Sequence, residues 1–559
     1  MTQFLRNLSA LLIAALATGA AASLVQTQIV LTEVMQLGVP VAASMRWLTA
    51  AEDLARYGPV SVVMAFLVLL PALSCAHWLA RRVSAAARLP LLMIAAVVGM
   101  GTAFWLMRSV IPMPALAGTR TLSGYALMTL TGVLGAVVFH WRTRRTANRP
   151  APQWQYAALV VACLAIPTSS FIAMLPPADP RQPLLPADHL QVQTVASGLN
   201  RPWSVAVLPD GRLLVTEMGG RLLSVAGNGV VQPVAMNDVP PVLHSGGIIG
   251  LMEVAVDPDF ERNQTLFLSM GYGEPDANGT RLVRARLVDN RLEDVRLLFS
   301  SSPKPGLGNN GGRIAFLADG TLVLTVGDGN TRREEAQNPG NHLGTVVRLD
   351  RDGRVPADNP LVNRPGAAPQ VYSLGHRNAQ GIAVDPANNE LYVTEHGPRG
   401  GDEINRVVPA GNYGWPLVTR GIDYPFASVS PFRRLPGFED PVLVWTPSIA
   451  PAGLAIYRGD AFPEWQGDML VPALKERSLR RVIREQGKIV GQQLLLSDRN
   501  ERVRDVKVGP DGLIYVLTDG PDGSLLRLAP AGRPGVGEQP QPAAVFLIPS
   551  KISRVFDCR

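Results

Sequence analysis

Cysteine and aromatic residues are scarce in this chain, and each shortage argues against a class of protein. Three cysteines occur in 559 residues, and no pair of them has the spacing of a metal knuckle or a disulfide framework. Aromatic residues make up 6% of the chain, and no basic stripe with interleaved aromatic residues is present. The sequence therefore predicts free thiols at Cys75, Cys163 and Cys558 and argues against a nucleic-acid-binding protein.

Lysine is absent from the first third of the chain, where acidic residues are also rare. Residues 1–180 contain 12 arginines and 4 acidic residues, whereas the rest of the chain contains 40 basic and 41 acidic residues. The sequence pI of about 9.5 therefore arises from the first third. This third also contains five apolar runs, each near the ~20 residues that cross a bilayer, at residues 8–30, 58–80, 89–107, 121–141 and 155–175.

The arginines between these runs indicate an orientation in a bacterial inner membrane. Three lie at residues 81–88 and four at residues 142–149, while the other loops have a smaller positive excess. The positive-inside rule then places the N-terminus in the cytoplasm and everything after residue 176 in the periplasm. The first run also fits a cleaved signal peptide, since Arg6 precedes an apolar stretch that becomes rich in alanine. Cleavage would leave four spans and would still export the rest of the chain.

From residue 190 the pattern changes to short β-like runs separated by turns rich in glycine, aspartate and proline. We predict an all-α transmembrane domain over residues 1–176, a stiff proline-rich linker over 177–190 and a proline-rich tail over 531–559. Between linker and tail, an apolar strand, a turn and a second apolar strand recur six times, at residues 207–215, 256–259, 316–324, 384–387, 459–463 and 508–515. This repeat predicts an all-β six-bladed β-propeller over residues 191–530.

Residues 395–405 form the most distinctive motif, Glu-His-Gly-Pro-Arg-Gly-Gly-Asp-Glu-Ile-Asn. A Gly-Pro pair turns main-chain carbonyls outward and the neighbouring carboxylates supply further oxygen ligands, an arrangement that suits a hard cation. Residues 375–378, Gly-His-Arg-Asn, offer hydrogen-bond donors to an anionic ligand. The two segments together predict a site that holds a cation and an anionic group.

These two segments resemble the core signature of the pyrroloquinoline quinone (PQQ)-dependent glucose/sorbosone dehydrogenases, a family that includes the soluble aldose sugar dehydrogenases. The resemblance covers roughly residues 190–530 and extends to six further segments: 201–203, 324–329, 342–344, 412–416, 447–451 and 502–506. It implies a quinoprotein oxidoreductase that uses PQQ and Ca²⁺ to oxidise an aldose or a related polyhydroxy aldehyde. A membrane-bound glucose dehydrogenase with five N-terminal spans and a different propeller suggests, by analogy, that electrons pass to ubiquinone.

The resemblance assigns residues to the cofactor and to two calcium ions. PQQ is a flat quinone with three carboxylates, and the residues expected to surround it are Arg377, Asn378, His396, Ser448, Lys475, Arg502 and Arg504. The catalytic Ca²⁺ would be bound by the main-chain oxygens of Gly397 and Pro398, and a structural Ca²⁺ by Glu403, Tyr413 and Asp423. Arg502 and Arg504 fit an anion site because residues i and i+2 of a strand point to the same face.

The chain departs from the family at the general base, which is a histidine in the family. Alignment on Arg313 places Asn309 at that position, and an amide cannot accept a proton near neutral pH. Asp328 resembles the carboxylate that orients the missing histidine, and His244 stands in a His-Ser-Gly-Gly turn near a second departure. Two interpretations remain open. Either His244 or Asp328 supplies the base, or the propeller is a catalytically lapsed PQQ- or sugar-binding module that acts as a sensor or docking domain.

Overall fold

The structure, a computed structural model, describes residues 2–110, 116–145 and 182–531. The fifth apolar run, Cys163, Cys558, the first part of the proposed linker and nearly all of the tail lie outside these residues. Within them the chain forms a helical bundle followed by a β-propeller. Cys75 is a free, exposed thiol in the bundle.

Five helices form the bundle in the described part of residues 2–145: α1 (Thr2–Gln36), α2 (Ala43–Arg56), α3 (Gly58–Ala80), α4 (Arg88–Val110) and α5 (Leu122–Arg145). By length and composition α1, α3, α4 and α5 are able to cross a membrane, and they coincide with the first four apolar runs. Small residues bring them together: Ala14, Ala96 and Ala136 are fully buried between helices. The outer surface exposes large apolar side chains such as Val63 and Ile94.

Twenty-four strands within residues 182–531 form six four-stranded antiparallel sheets, so the predicted six-bladed propeller is confirmed. The strands are β1 (Leu190–Leu199), β2 (Pro202–Val207), β3 (Leu213–Glu217), β4 (Arg221–Val225), β5 (Val231–Val234), β6 (Leu251–Val256), β7 (Thr265–Glu274), β8 (Ala277–Val288), β9 (Arg291–Ser300), β10 (Ile314–Phe316), β11 (Leu322–Val326), β12 (Thr345–Leu349), β13 (Val371–Leu374), β14 (Ala379–Asp385), β15 (Glu390–Glu395), β16 (Asp402–Val407), β17 (Leu443–Trp445), β18 (Ala455–Ile456), β19 (Met469–Ala473), β20 (Ser478–Glu485), β21 (Lys488–Leu495), β22 (Val503–Val508), β23 (Ile514–Thr518) and β24 (Gly523–Pro530). A short helix, α6 (Phe260–Asn263), lies between β6 and β7.

The ring closes by combining both ends of the propeller sequence in one blade. The first five blades are β2–β5, β6–β9, β10–β13, β14–β17 and β18–β21, and in the sixth β1 pairs with β24 outside β23 and β22. The first strands of successive blades touch one another, and β22 touches β2. In every blade the repeated turn of the sequence joins the first strand to the second. The repeat was therefore a correct marker of the blades.

A buried cluster of charges joins several blades where the first strands meet. Arg313 is 1% exposed, and its Nη1 donates at 2.8 Å to both Glu253 of β6 and Asp505 of β22. Its guanidinium also lies 3.9 Å from the ring centroid of Trp203 in β2. Lys507 lies 3.0 Å from the second oxygen of Glu253. Paired in this way the buried charges are tolerated, and they fix how the blades face one another.

The long connection between β16 and β17 attaches the propeller to the bundle. Asp53 of α2 is fully buried and accepts hydrogen bonds from the Ser428 main-chain N–H (2.9 Å), the Ser428 hydroxyl (2.7 Å) and the Thr27 hydroxyl (2.7 Å). Burial raises the pKa of Asp53, and these hydrogen bonds oppose the rise. A salt bridge of 2.9 Å between Arg120 and Glu334 adds a second contact.

We expect Asp53→Ala to lower the free energy of unfolding by about 1–3 kcal/mol, because it leaves two donors of Ser428 buried without an acceptor. The measurement is thermal unfolding of the full chain in detergent, together with limited proteolysis of residues 408–442. Glu52→Ala is the matched control, since the adjacent carboxylate is largely exposed and its removal changes stability by less than about 0.5 kcal/mol. Equal melting and equal cleavage of the two variants would contradict the predicted contact.

Candidate active site

The predicted site residues lie mainly on loops at one end of the propeller. The loops that leave odd-numbered strands share this end because neighbouring strands are antiparallel, and the repeated turns lie at the other end. These loops carry Asn309, Asp328, Arg377, Asn378, His396, Ser448, Lys475 and Arg502. Loops held by a rigid scaffold are common places for binding and catalysis. The topology therefore gathers residues that are far apart in sequence.

Arg377 forms hydrogen bonds with the loop that follows β15, and one of its donor nitrogens has no partner within the described residues. Its Nη1 donates at 3.1 Å to the main-chain oxygens of His396 and Gly397. Its guanidinium lies 5.4 Å from the ring centroid of Trp415. Its Nε is buried with no hydrogen-bond partner within the described residues. A buried donor without a partner is costly, so this nitrogen points to a ligand that accepts a hydrogen bond.

Arg502 and Arg504 share a single carboxylate. Arg504 lies 3.2 Å and Arg502 2.8 Å from the two oxygens of Asp519, which the sequence analysis did not single out. Burial lowers the pKa of the Arg504 guanidinium, Asp519 opposes this, and the nearby charge of Arg313 adds to it. One carboxylate balances only one of these two arginines, so positive charge is left over at this position.

His396 lies among these cations as a neutral imidazole. Burial and the charges of Arg377, Arg504 and Arg502 lower its pKa to about 3. Its Nε2 is 2.6 Å from the main-chain oxygen of Pro451 and donates to it, because the neutral ring keeps one N–H. The charges of the three arginines therefore act on one imidazole, and Arg377 also contacts the main-chain oxygen of His396. Arginines without matching carboxylates form a pocket for a ligand with several negative charges.

Three further predicted site residues, Ser448, Lys475 and Asn378, lie in different environments. Ser448 donates to Asp402 Oδ2 at 2.7 Å, and the same oxygen accepts the main-chain N–H groups of residues 449 and 450. Lys475 is exposed and lines a groove of about 450 Å³ together with residues 444–449. The amide oxygen of Asn378 accepts the Gly311 N–H at 3.1 Å. Asp402, another residue the sequence analysis missed, thus shapes the loop that carries Ser448.

Asn309 and Asp328 form the second half of the site. Asn309 adopts a positive φ of 47° and donates its amide N–H to Asp328 Oδ1 at 2.8 Å. Asp328 also accepts the Asn330 main-chain N–H at 2.7 Å and, on Oδ2, the Trp415 indole N–H at 2.7 Å. The Asp328 main-chain N–H donates to the Arg377 oxygen at 2.9 Å, which joins this pair to the cationic pocket.

Lys304 is a buried amine next to this pair that the sequence analysis did not identify. Its Nζ donates to Asn278 Oδ1 at 2.7 Å and to the Gly306 oxygen at 2.8 Å. Its chain packs on Gly329, where an added Cβ would lie 2.0 Å from Lys304 Cδ. Burial lowers the pKa of Lys304 to about 8, and the charge of Asp328 opposes the change. The only sequence signal is its position between two prolines in the loop that leads to Asn309.

Comparison with known proteins agrees with this geometry. The glucose/sorbosone dehydrogenase family model matches residues 199–527. The chain belongs to this family. It is 39% identical over 350 residues to the aldose sugar dehydrogenase YliI of Escherichia coli, covering 61% of this chain and 93% of that relative. It is 27% identical over 418 residues to quinoprotein glucose dehydrogenase B of Acinetobacter calcoaceticus, covering 60% and 86%.

A solved structure from the family is also similar to the propeller. The PQQ-bound form of an aldose sugar dehydrogenase from Streptomyces coelicolor superposes with a TM-score of 0.51 at 28% identity, covering 62% of this chain and 99% of that one. The family match begins at residue 199, so α1 to α5 lie outside it.

His244, one of the two alternatives for the missing family base, lies in an exposed position. It precedes a turn whose Ile248 main-chain oxygen accepts a hydrogen bond of 3.4 Å from Asn310. This contact brings the turn close to the Asn309 loop. The other alternative, Asp328, already accepts hydrogen bonds from Asn309, Asn330 and Trp415.

The residues assigned to calcium occupy three different environments. The Gly397 oxygen, beside Pro398, accepts a hydrogen bond from Arg377. Glu403 is partly buried, and burial with the nearby charge of Glu395 raises its pKa to about 8. Among the described residues, no group of three or more His, Cys, Asp and Glu side chains is arranged to hold a metal ion. A calcium ion here would depend on main-chain oxygens and on the ligand itself.

Tyr413 and Asp423 have other partners. Tyr413 stacks on His376 with ring centroids 4.4 Å apart, and its hydroxyl donates to the Arg406 oxygen at 2.6 Å. Asp423 forms a salt bridge of 3.1 Å with Arg333, at the contact with the helical bundle. The structure therefore places Asp423 in an ion pair, and its role as a calcium ligand stays a prediction.

Proposed function

We propose that this chain is a membrane-anchored quinoprotein dehydrogenase that oxidises an aldose or a related polyhydroxy aldehyde with PQQ and calcium. The observation that carries the proposal is the cationic pocket near His396, where Arg502 and Arg504 share one carboxylate and Arg377 Nε has no hydrogen-bond partner among the described residues. The fit to PQQ is chemical, since its three carboxylates supply the missing negative charge. The relatives named as quinoprotein and aldose sugar dehydrogenases support the same cofactor and substrate class.

The residues of the pocket have separate tasks in this proposal. Arg502, Arg504 and Lys475 would hold the carboxylates of PQQ, and Arg377 and Asn378 would hold the edge of its ring. The main-chain oxygens of Gly397 and Pro398 would bind a calcium ion that PQQ also coordinates. When bound, PQQ supplies a quinone that accepts hydride from the sugar carbon, and the ion polarises that quinone.

We propose that the amine of Lys304 accepts the proton of the reacting sugar hydroxyl. Asn309 is able to orient that hydroxyl but cannot accept its proton, and Asp328 already accepts three hydrogen bonds. Lys304 is next to Asp328, is buried, and has a lowered pKa, so its neutral form is accessible near pH 8. As the C–H hydride leaves, the O–H electron pair forms the new carbonyl and the proton joins the Lys304 nitrogen.

The helical bundle would anchor the enzyme in the inner membrane with the propeller in the periplasm. Four long apolar helices with exposed apolar side chains support an anchor, and the arginine distribution supports the orientation. Electrons would pass from the propeller to ubiquinone in the membrane. A second function, a PQQ- or sugar-binding sensor without turnover, is favoured by one observation, the amide of Asn309 at the position of the family base.

A cofactor titration of the full chain in detergent tests the proposal. We expect PQQ and Ca²⁺ to give a saturable absorbance change, and an aldose from a panel of sugars to bleach the oxidised quinone. Bleaching supports the dehydrogenase. A bound spectrum that no sugar changes supports the sensor, and a lack of PQQ binding contradicts the dehydrogenase and a PQQ-binding sensor.

A further inference from the structure

The half of the site that contains Asn309 and Asp328 lies close to the helical bundle. Trp415 donates to Asp328, and Leu417, two residues later, packs with Val34 of α1. Two residues span at most ~7 Å, so α1 lies close to the Asp328 pair. On a second path, Arg333 follows Asp328 by five residues and its Nη2 lies 3.7 Å from Glu33 Oε2 of α1.

A groove of about 490 Å³ opens in the bundle at this contact, between α1, α2 and the start of α5. The end near the propeller is polar, and its lining includes Glu33, Gln36, Thr121 and Ser123. The end that extends into the bundle is apolar and is lined by Leu24, Val25 and Leu127. Leu24 and Glu33 are nine positions apart on the helix, which makes the groove about 14 Å long.

We propose that this groove binds a membrane quinone, a benzoquinone head with an isoprenoid tail, which takes the electrons of the dehydrogenase. The proposal rests on the proposed function, because a sugar oxidation needs a two-electron acceptor. A ligand with a polar head and an apolar tail matches the two ends of the groove. The groove also continues from the bundle–propeller interface, since Glu33 both lines it and approaches Arg333.

The step balances with groups that the groove provides. The quinone would take up the two electrons of the sugar oxidation, two protons would join its carbonyl oxygens, and a quinol would leave. Glu33 is the only carboxylate in the lining of the groove within the described residues, and its Oε2 is buried without a hydrogen bond there. We infer that Glu33, whose carboxyl group Arg333 orients, delivers one of these protons to the quinone. The second comes from water at the open face, where Trp47 is exposed.

Photolabelling of the apo protein tests the binding site without any turnover. The full chain in lipid nanodiscs is irradiated with an azido-ubiquinone that carries a decyl tail, and the labelled peptides are mapped. We expect label on α1 and α5 that decylubiquinone displaces and decylbenzene does not. Ile29→Trp, which fills the groove, is expected to reduce labelling about tenfold, whereas Ile94→Trp on the outer face of α4 leaves it unchanged. Displacement by decylbenzene would show a site for any lipid chain and would overturn the proposal, as would label on other segments.

Glu33→Gln tests the proton assignment in the holoenzyme. We expect photolabelling to persist. We compare the rate at which the enzyme reduces decylubiquinone with the rate at which it reduces a water-soluble dye. The ratio of the first rate to the second should fall about tenfold. An unchanged ratio would overturn the role of Glu33. If the wild-type protein reduces neither acceptor with any sugar, the proposed dehydrogenase function fails, and photolabelling still decides whether the groove is a quinone site.

Discussion

Replacing Arg504 by alanine is expected to weaken PQQ binding about 10- to 100-fold without destabilising the apo protein. A charge-assisted hydrogen bond contributes about 1.5–3 kcal/mol, which corresponds to this change in Kd. In the apo protein, Arg504 is buried near Arg313 and shares Asp519 with Arg502. Its removal relieves repulsion between like charges, and Asp519 keeps Arg502 as its partner. We therefore expect the melting temperature of the apo protein to stay the same or to rise.

The measurement is a PQQ titration followed by absorbance, in parallel with thermal unfolding of the apo protein. Arg499→Ala is a suitable control, because Arg499 lies on the same approach to β22 and pairs with the partly exposed Glu501. We expect it to change neither quantity. Arg504→Ala with wild-type affinity for PQQ would show that the cationic pocket does not bind the cofactor carboxylates.

Lys304→Met is expected to lower the rate of sugar oxidation by about 10²–10⁴-fold, the usual effect of losing a general base. In the wild-type protein, burial lowers the pKa of Lys304 to about 8 from 10.5. Only the neutral amine accepts a proton, so kcat/KM should rise about tenfold per pH unit below 8 and then level off. The methionine variant should lose this dependence. The measurement is kcat/KM against pH with a soluble dye as acceptor.

Two further variants separate the chemistry of Lys304 from its packing. Lys304→Arg keeps a donor for Asn278 and Gly306 but stays charged, so we expect it to restore folding and not the rate. Lys488→Met, at an exposed lysine, should have no effect. A Lys304→Arg protein with the wild-type rate and pH profile would exclude Lys304 as the proton acceptor.

The lowered pKa of Lys304 also predicts a change of stability with pH. The folded state holds its proton less tightly than the unfolded state, so the stability associated with this group is present above the unfolded pKa of about 10.5 and is lost as the pH falls through about 8. Relative to Lys304→Met, the wild-type protein should therefore gain stability between about pH 8 and 10.5. Chemical unfolding at these two pH values measures the difference.

Local sequence patterns predicted the propeller and the four apolar helices of the described residues. A strand, a turn and a strand recur six times because each blade repeats one local unit. Apolar runs mark membrane-length helices because the hydropathy of a segment depends only on the residues within it. Short motifs also singled out Arg377, His396 and the Arg502–Arg504 pair, and their role in binding a cofactor stays a prediction. Their placement on loops at one end of the ring follows from the alternation of strand direction.

These local patterns could not predict which distant segments of the chain contact one another. The connection between β16 and β17 begins at the end opposite the site, but it runs beside β13, where Asn412 pairs with Leu374, and so brings Trp415 to Asp328. Lys304 reaches its neighbours because Gly329 leaves room for its chain. Asp423 resembled a calcium ligand in sequence, yet the fold places it against Arg333, 90 residues away.

The sequence by itself determined the order of elements, the number of blades and the identity of most charged groups in the pocket, because these depend on periodicity and on short motifs. Only the tertiary structure decided which charges meet. Arg313 and Asp505 are separated by 192 residues, and Asp53 and Ser428 by 375. Such pairs form when the ring closes and when the long connection between β16 and β17 reaches the bundle. Their energies arise from burial and geometry, which no local segment of the chain encodes.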